Sequence, residues 1–177
     1  TLLAGCAAVG DYGAGEEEIF ALRDGINKGW IDGPRIKAAG SSVSVTGGHG
    51  DVDGLSPDIL AMRTSKTVCD GPFDCRRATR HAIKYGADVI KITSTGGVLS
   101  DTNTGTGQQM SDDELKEVVD AAHALGRKVA SHAHAAEGIN AALRAGVDSI
   151  EHGSYANKKN IKLFKKSGAY LVPTLRA

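Results

Sequence analysis

The chain has 177 residues, 41% of them apolar, with 21 Lys plus Arg set against 21 Asp plus Glu and a formal charge of zero. That length suits one domain with a real hydrophobic core, and the charge balance removes any electrostatic case for a nucleic-acid or anionic-membrane partner. No run approaches the ~18 apolar residues of a membrane span.

The chain opens on "TLLAGCAAVGDYG", apolar but short and without a basic leader, so it reads as the inside of a domain and not as a signal peptide. "CAAVGD" is the first expected strand. A helix, glycine, strand cadence follows. "EEEIFALRDGINKG" leads to "PRIKAAGSSVSV", "DCRRATRHAIKYG" to "ADVIKITSTGG", and "SDDELKEVVDAAHALG" to "RKVASHAH". "AAEGINAALRAG" then leads to "VDSIEHGS", and "NKKNIKLFKKSG" to "AYLVPTL". Ser111 with Glu114 three residues on predicts a capping box, and Leu115, Val118, Val119, Ala122 and Leu125 form one apolar stripe. Gly86, Gly126, Gly146 and Gly168 sit where those helices should stop.

Six strands separated by five helices mean an α/β fold with a parallel sheet. The candidates are an open doubly wound sheet and a (β/α)8 barrel. A whole barrel needs eight units and typically ~250 residues, so length alone favours the open sheet. The placement of polar residues reverses that preference.

Lys91 lies inside "DVIKIT" between two isoleucines, and lysine is almost never buried without a partner. Two readings stand. Burial lowers the pKa of the amine, and the neutral form can take up carbon dioxide to give a carbamate able to bridge two cations. Otherwise a carboxylate such as Glu151 or Asp148 pairs with it. His132 and His134 close the next strand, two residues apart and so on one face. His152 closes the strand after that. Three successive strands thus deliver nitrogen side chains to the C-terminal end of the sheet, where barrel enzymes keep their chemistry. Imidazole suits zinc or another divalent transition metal. His49, in the glycine-rich "TGGHGD", either lines the same cavity or belongs only to a turn; His81 and His123 read as helix-surface residues.

The loop "STGGVLSDTNTGTGQQ" reads as a substrate lid or a merely mobile segment, and its glycines match neither GxGxxG nor a Walker pattern. An open-sheet nucleotide binder would need a phosphate loop after the first strand, and "GDYGAGEEE" is a poor one because three glutamates repel phosphate. Cys6, Cys69 and Cys75 are odd in number with no CxxC pair, which argues against a disulfide framework or zinc ribbon and for a reduced, cytoplasmic setting.

"DVIKITSTGG", "VASHAHAAEGINAALRAGVDSIEHGS", "AYLVPTL" and "GPRIKAAGSSVSVTGGHGD" together resemble the metal-dependent amidohydrolase superfamily. The likeness is strongest to imidazolonepropionase-related enzymes, including prolidase-like and arginine-carboxypeptidase-like dipeptidases. It implies a distorted (β/α)8 barrel holding one or two zinc ions or other divalent metals. On it, Lys91 matches the fourth-strand lysine, carbamylated and bridging two metals, while His132 and His152 match the fifth- and sixth-strand ligands. His134 falls near the scissile carbonyl on it. Apart from the resemblance, His49 and Tyr155 are expected to join His134 on the substrate side.

The resemblance also implies parts with no counterpart here: a first-strand HxH, an eighth-strand aspartate and a small β-sandwich. The expectation is therefore a single incomplete barrel domain over residues 1–177, about strands two to seven, cut from a larger enzyme. The implied reaction is hydrolysis of an amide in a dipeptide or N-acyl amino acid by metal-activated water. A cyclic amide is the alternative within the family, and a non-catalytic barrel fragment the alternative outside it. The expected partners are a small substrate and either a second copy of the chain or the remaining barrel segments.

Overall fold

A computed structural model describes residues 1–63, 65–98 and 105–175. After a short 3-10 turn at Leu2–Ala4, the elements are β1 (Ala8–Asp11), α1 (Glu16–Asn27), β2 (Arg35–Ala38), α2 (Pro57–Arg63) and α3 (Pro72–Tyr85). They continue as β3 (Val89–Thr93), α4 (Asp112–Ala124), β4 (Lys128–Ala133), α5 (Ala136–Ala145), β5 (Ser149–His152), α6 (Lys158–Ser167) and β6 (Tyr170–Val172).

Every strand pair is parallel. β1 pairs with β2, and β3, β4, β5 and β6 follow one another in order. The fold is α/β, a partial (β/α) barrel. Its helices lie side by side, α3 on α4, α4 on α5 and α5 on α6. The capping box expected at Ser111 and Glu114 is formed, and Asn157 with Asn160 makes a second one at α6. Gly146 and Gly168 end α5 and α6 in the left-handed conformation that favours glycine.

One expected strand is broken. "PRIKAAGSSVSV" pairs only over Arg35–Ala38, bends at Gly40 with φ 69°, and rejoins the sheet where Val43 bridges to Ile92. A side chain at Gly40 would meet the Phe20 ring at 2.8 Å, so packing of α1 and the backbone bend both select glycine there. The bend lets Val43 donate its N–H to the Lys91 carbonyl at 2.8 Å, which closes the gap between the two-stranded and four-stranded portions. Asp88 ties the same junction, accepting from the Ala38 N–H and from Arg23 on α1. The short helix α2 was not expected from the sequence cadence.

The cysteine reading needs correction. Cys69 and Cys75 form a disulfide and only Cys6 is free, so the cysteine count gives no ground for a reducing compartment. The bend at Gly71, with φ 79°, turns the segment into α3 and brings the two Cα atoms to 5.0 Å. A spacing of six residues that matches no common motif hid this. Among the described residues no helix is long and apolar enough to cross a membrane.

β3 is buried along its whole length, and its two faces differ in kind. Ile90 and Ile92 join the core shared with the helices, along with Leu115, Val118, Val129, Ile139 and Ile150. Val89 packs on the inner side with Ala39 and Ala130, and Lys91 and Thr93 continue that face toward the strand end. Continuous apolar strands with one polar stripe are what a sheet covered by helices on one side and enclosing a site on the other requires.

Candidate metal centre

The C-terminal ends of β1, β3, β4 and β5 converge on a cavity of about 620 Å³. Tyr12, His49, Lys91, His132, Glu151 and His152 line it. Parallel register produces this convergence: Thr93 pairs with His132, and His132 in turn pairs with Glu151. Alternation then puts Lys91 and His132 on the same inner face.

Alternation alone would send Glu151 and His152 to opposite faces. Both line the cavity because His152 adopts φ 70°, the one positive φ outside glycine among the described residues. Such a conformation persists only where the surroundings impose it, and it concentrates at functional sites.

Lys91 Nζ donates to Glu151 Oε2 at 2.7 Å, and Ser149 Oγ donates to the other carboxylate oxygen at 2.6 Å. Asp148, the other carboxylate considered from sequence, pairs instead with His123. Burial lowers the Lys91 pKa, and Glu151 works against that shift.

Four imidazoles pack as one group. The His49 ring lies 4.1 Å from His132, His132 is 4.7 Å from His134 and 4.8 Å from His152, and His134 stacks on His152 at 4.9 Å. Burial is the leading cause that depresses all four, aided by the Lys91 charge at His49, His132 and His152 and by neighbouring imidazoles at His49, His132 and His134, and His132 is pushed down to about 3. They are neutral at pH 7, the form that offers a lone pair to a metal.

One ring nitrogen from each of His132, His134 and His152 can be chosen so that all three lie within 4.8 Å of one another. Each of the three rings also has a hydrogen-bonded nitrogen. His132 Nε2 faces the Gly96 carbonyl at 3.3 Å, His134 Nδ1 meets Ser154 Oγ at 2.9 Å, and His152 Nδ1 meets Thr174 Oγ1 at 3.1 Å. Since a carbonyl only accepts, His132 carries its proton on Nε2 and presents Nδ1 as the lone-pair atom. Neutral imidazoles held by outer hydrogen bonds are the donor set of a divalent transition metal, and these residues fit one.

His134 is 1% exposed and stands behind His152, away from the cavity wall where a substrate-facing residue was expected. Tyr155, also assigned to the substrate side, is exposed with its ring 6.4 Å from His134, and it too is absent from the lining. His49 does line the cavity. A Cβ at Gly97 would come within 2.2 Å of the His49 ring, so that glycine makes room for it against His132. His81 faces Glu16 and His123 faces Asp148, both outside the site. Tyr12 was missed, although its place just past the end of β1 obeys the strand-end rule. Residues 99–104 of the expected lid lie outside the described residues.

The amidohydrolase family profile matches residues 1–177. Ochratoxinase from Aspergillus niger is 37% identical over 162 residues, covering 84% of this chain and 34% of that protein. A solved Xaa-Pro dipeptidase with bound methionine superposes with a TM-score of 0.88 at 41% identity, covering 94% of this chain and 42% of that one. A prolidase complexed with N-methylphosphonate-L-proline gives a TM-score of 0.83 at 38% identity, covering 96% and 42%. The chain thus spans about a third of the curated relative's length and about two-fifths of the solved ones.

Proposed function

The chain belongs to the amidohydrolase family, and from that premise we propose that it serves metal-dependent hydrolysis of the amide bond in a dipeptide or N-acyl amino acid. The observation that carries this reading is the convergence of Lys91, His132 and His152 on one cavity of about 620 Å³, a size suited to small-molecule ligands. The dipeptidase and prolidase likenesses support the substrate class.

With zinc bound, His132 and His152 would hold it, and Lys91 would be a third ligand once its neutral amine had taken up carbon dioxide and lost a proton to become the carbamate. When bound, the ion supplies Lewis acidity, which makes hydroxide available near neutral pH and polarises a carbonyl. The chain's own groups orient the substrate. His49 lines the same cavity and is held neutral chiefly by burial. Tyr12 is raised by burial and by Glu151, so its phenol stays protonated and can donate into the cavity it lines. A neutral phenol donor in the cavity wall favours a developing oxyanion without adding a net charge.

The test is incubation of the zinc-loaded protein with a panel of Xaa-Pro and other dipeptides and N-acyl amino acids, with free amino acid read by mass spectrometry. Release that disappears in Lys91→Ala, together with a carbamate signal from 13C-labelled bicarbonate in the unsubstituted protein, is the expected result. No release from any member of the panel overturns the reading.

A further inference from the structure

We propose that Gln109 is a positioning residue for His49, and that its amide oxygen and the bare backbone of Gly97 together set where the His49 ring stands in the cavity wall. This deepens the reading above, on which it rests for what His49 faces but not for how His49 is held.

His49 belongs to "TGGHGD", with glycine on either side and outside every helix and strand, so no regular element fixes its ring. Thr46 and Gly47 just before it are exposed. The ring nevertheless packs 4.1 Å from His132 and lines the cavity. Its order comes from another part of the chain.

The His49 backbone N–H donates to Gln109 Oε1 at 2.8 Å, across a sequence separation of 60. Only the oxygen of an amide accepts from an N–H, so the orientation of the Gln109 group follows from the chemistry. Gln109 is itself clamped. Its own N–H donates to the Ser94 carbonyl at 2.9 Å, and the Gly96 N–H donates to the Gly107 carbonyl at 3.0 Å. Thr95 and Gln108 form an antiparallel bridge between the same two stretches. On the other side Met110 is fully buried and Ser111 caps α4. The acceptor therefore stands on a segment fastened to the end of β3, while the donor stands on a loop.

Gly97 acts on the ring. Its φ lies outside the left-handed region, so backbone conformation does not require glycine there. Space does. A Cβ would lie 2.2, 2.5 and 2.9 Å from three atoms of the His49 ring. One contact thus holds the His49 backbone and the other leaves room for its ring, and both come from the segment that follows β3.

The test is NMR of the metal-free protein, labelled with 15N and 13C, in Gln109→Met, Gln109→Glu and Gly97→Ala. Methionine keeps the reach of glutamine without an acceptor, and glutamate keeps the acceptor. Gln109→Met is expected to move the His49 amide proton upfield and to lose the nuclear Overhauser contact between the His49 and His132 rings. Gln109→Glu should retain both signals. Gly97→Ala should keep the amide shift and lose the ring contact. Thermal melts confirm that each variant is folded, with Gln109→Leu in place of Gln109→Met if the latter is not. For a dipeptide that the zinc-loaded protein cleaves, kcat/KM should fall about 100-fold in Gln109→Met, as a wall group displaced by about an ångström implies, and recover in Gln109→Glu. A Gln109→Met spectrum with both signals unchanged, or a Gln109→Glu spectrum that loses both, overturns the assignment, as does an intact ring contact in Gly97→Ala. The spectra require no hydrolysis, so they decide this claim even if the hydrolase reading fails.

Discussion

Lys91 on β3 and Glu151 on β5 reach across β4 to form an ion pair, Nζ to Oε2 at 2.7 Å, with 7% and 9% of their side chains exposed. Removing one partner of such a buried pair leaves an uncompensated charge and costs about 3–5 kcal/mol, whereas replacing both with apolar residues of similar size is often neutral. Glu151→Ala is therefore expected to destabilise the metal-free protein by that amount in urea unfolding. A Lys91→Met, Glu151→Leu double variant should stay within about 1 kcal/mol of the original. Equal stability of Glu151→Ala and the unsubstituted protein would show that the pair contributes nothing.

The depressed imidazoles set the acid stability of the metal-free protein. His132 falls from its ordinary 6.5 to about 3 when folded, so between those values the unfolded chain binds more protons than the folded one. Stability then rises with pH across that window, and it is lost as pH falls from about 6.5 toward about 3. His49, His134 and His152 shift in the same direction. Urea midpoints measured with a chelator present should drop between pH 7.5 and 4.5, and His132→Asn should flatten part of that drop. A midpoint that holds steady or rises on acidification is incompatible with these buried neutral imidazoles.

The thiol chemistry gives a direct count. One reactive thiol, Cys6, is expected before reduction and three after it, because Cys69 and Cys75 are joined. The disulfide closes a short loop with a sequence separation of 6, for which loop-closure entropy gives about 2 kcal/mol. Cys75→Ser should lower stability by that order. Three thiols titrated in the unreduced, unfolded protein would exclude the bond.

Gly138 tests how tightly α5 is set against the site. An alanine there gains about 1 kcal/mol in helix propensity. Its Cβ, however, would meet Thr95 Cγ2 at 2.1 Å, and Thr95 is fully buried while its Oγ1 accepts the His134 N–H at 3.0 Å. Overpacking of a rigid buried contact costs about 1–3 kcal/mol and should win. Gly138→Ala is expected to lower the melting temperature and to shift the His134 backbone amide resonance. A stabilised variant with that resonance unmoved would mean the contact relaxes freely.

Much of the architecture was legible because it is local. The capping box at Ser111, the glycine stops after α5 and α6, and the strand-end positions of Lys91 and His132 follow from short-range periodicity and from the rule that barrel chemistry sits at strand ends. What escaped is long-range. The break in β2 depends on Phe20 of α1 filling the space beside Gly40. The disulfide depends on a turn at Gly71. The entry of His152 into the cavity depends on a backbone twist that no residue pattern announces. His134 shares a strand face with His132 in sequence terms, yet it is buried and outside the cavity lining, which depends on how β5 and its following loop cover it.

The central claim is that the strand-end histidines hold an ion at one point, and zinc-edge anomalous diffraction from crystals of the zinc-loaded protein tests it most directly. A single strong peak about 2.1 Å from ring nitrogens of both His132 and His152 is the expected result. A map with no peak between those two rings, or with zinc bound only elsewhere on the surface, would contradict it.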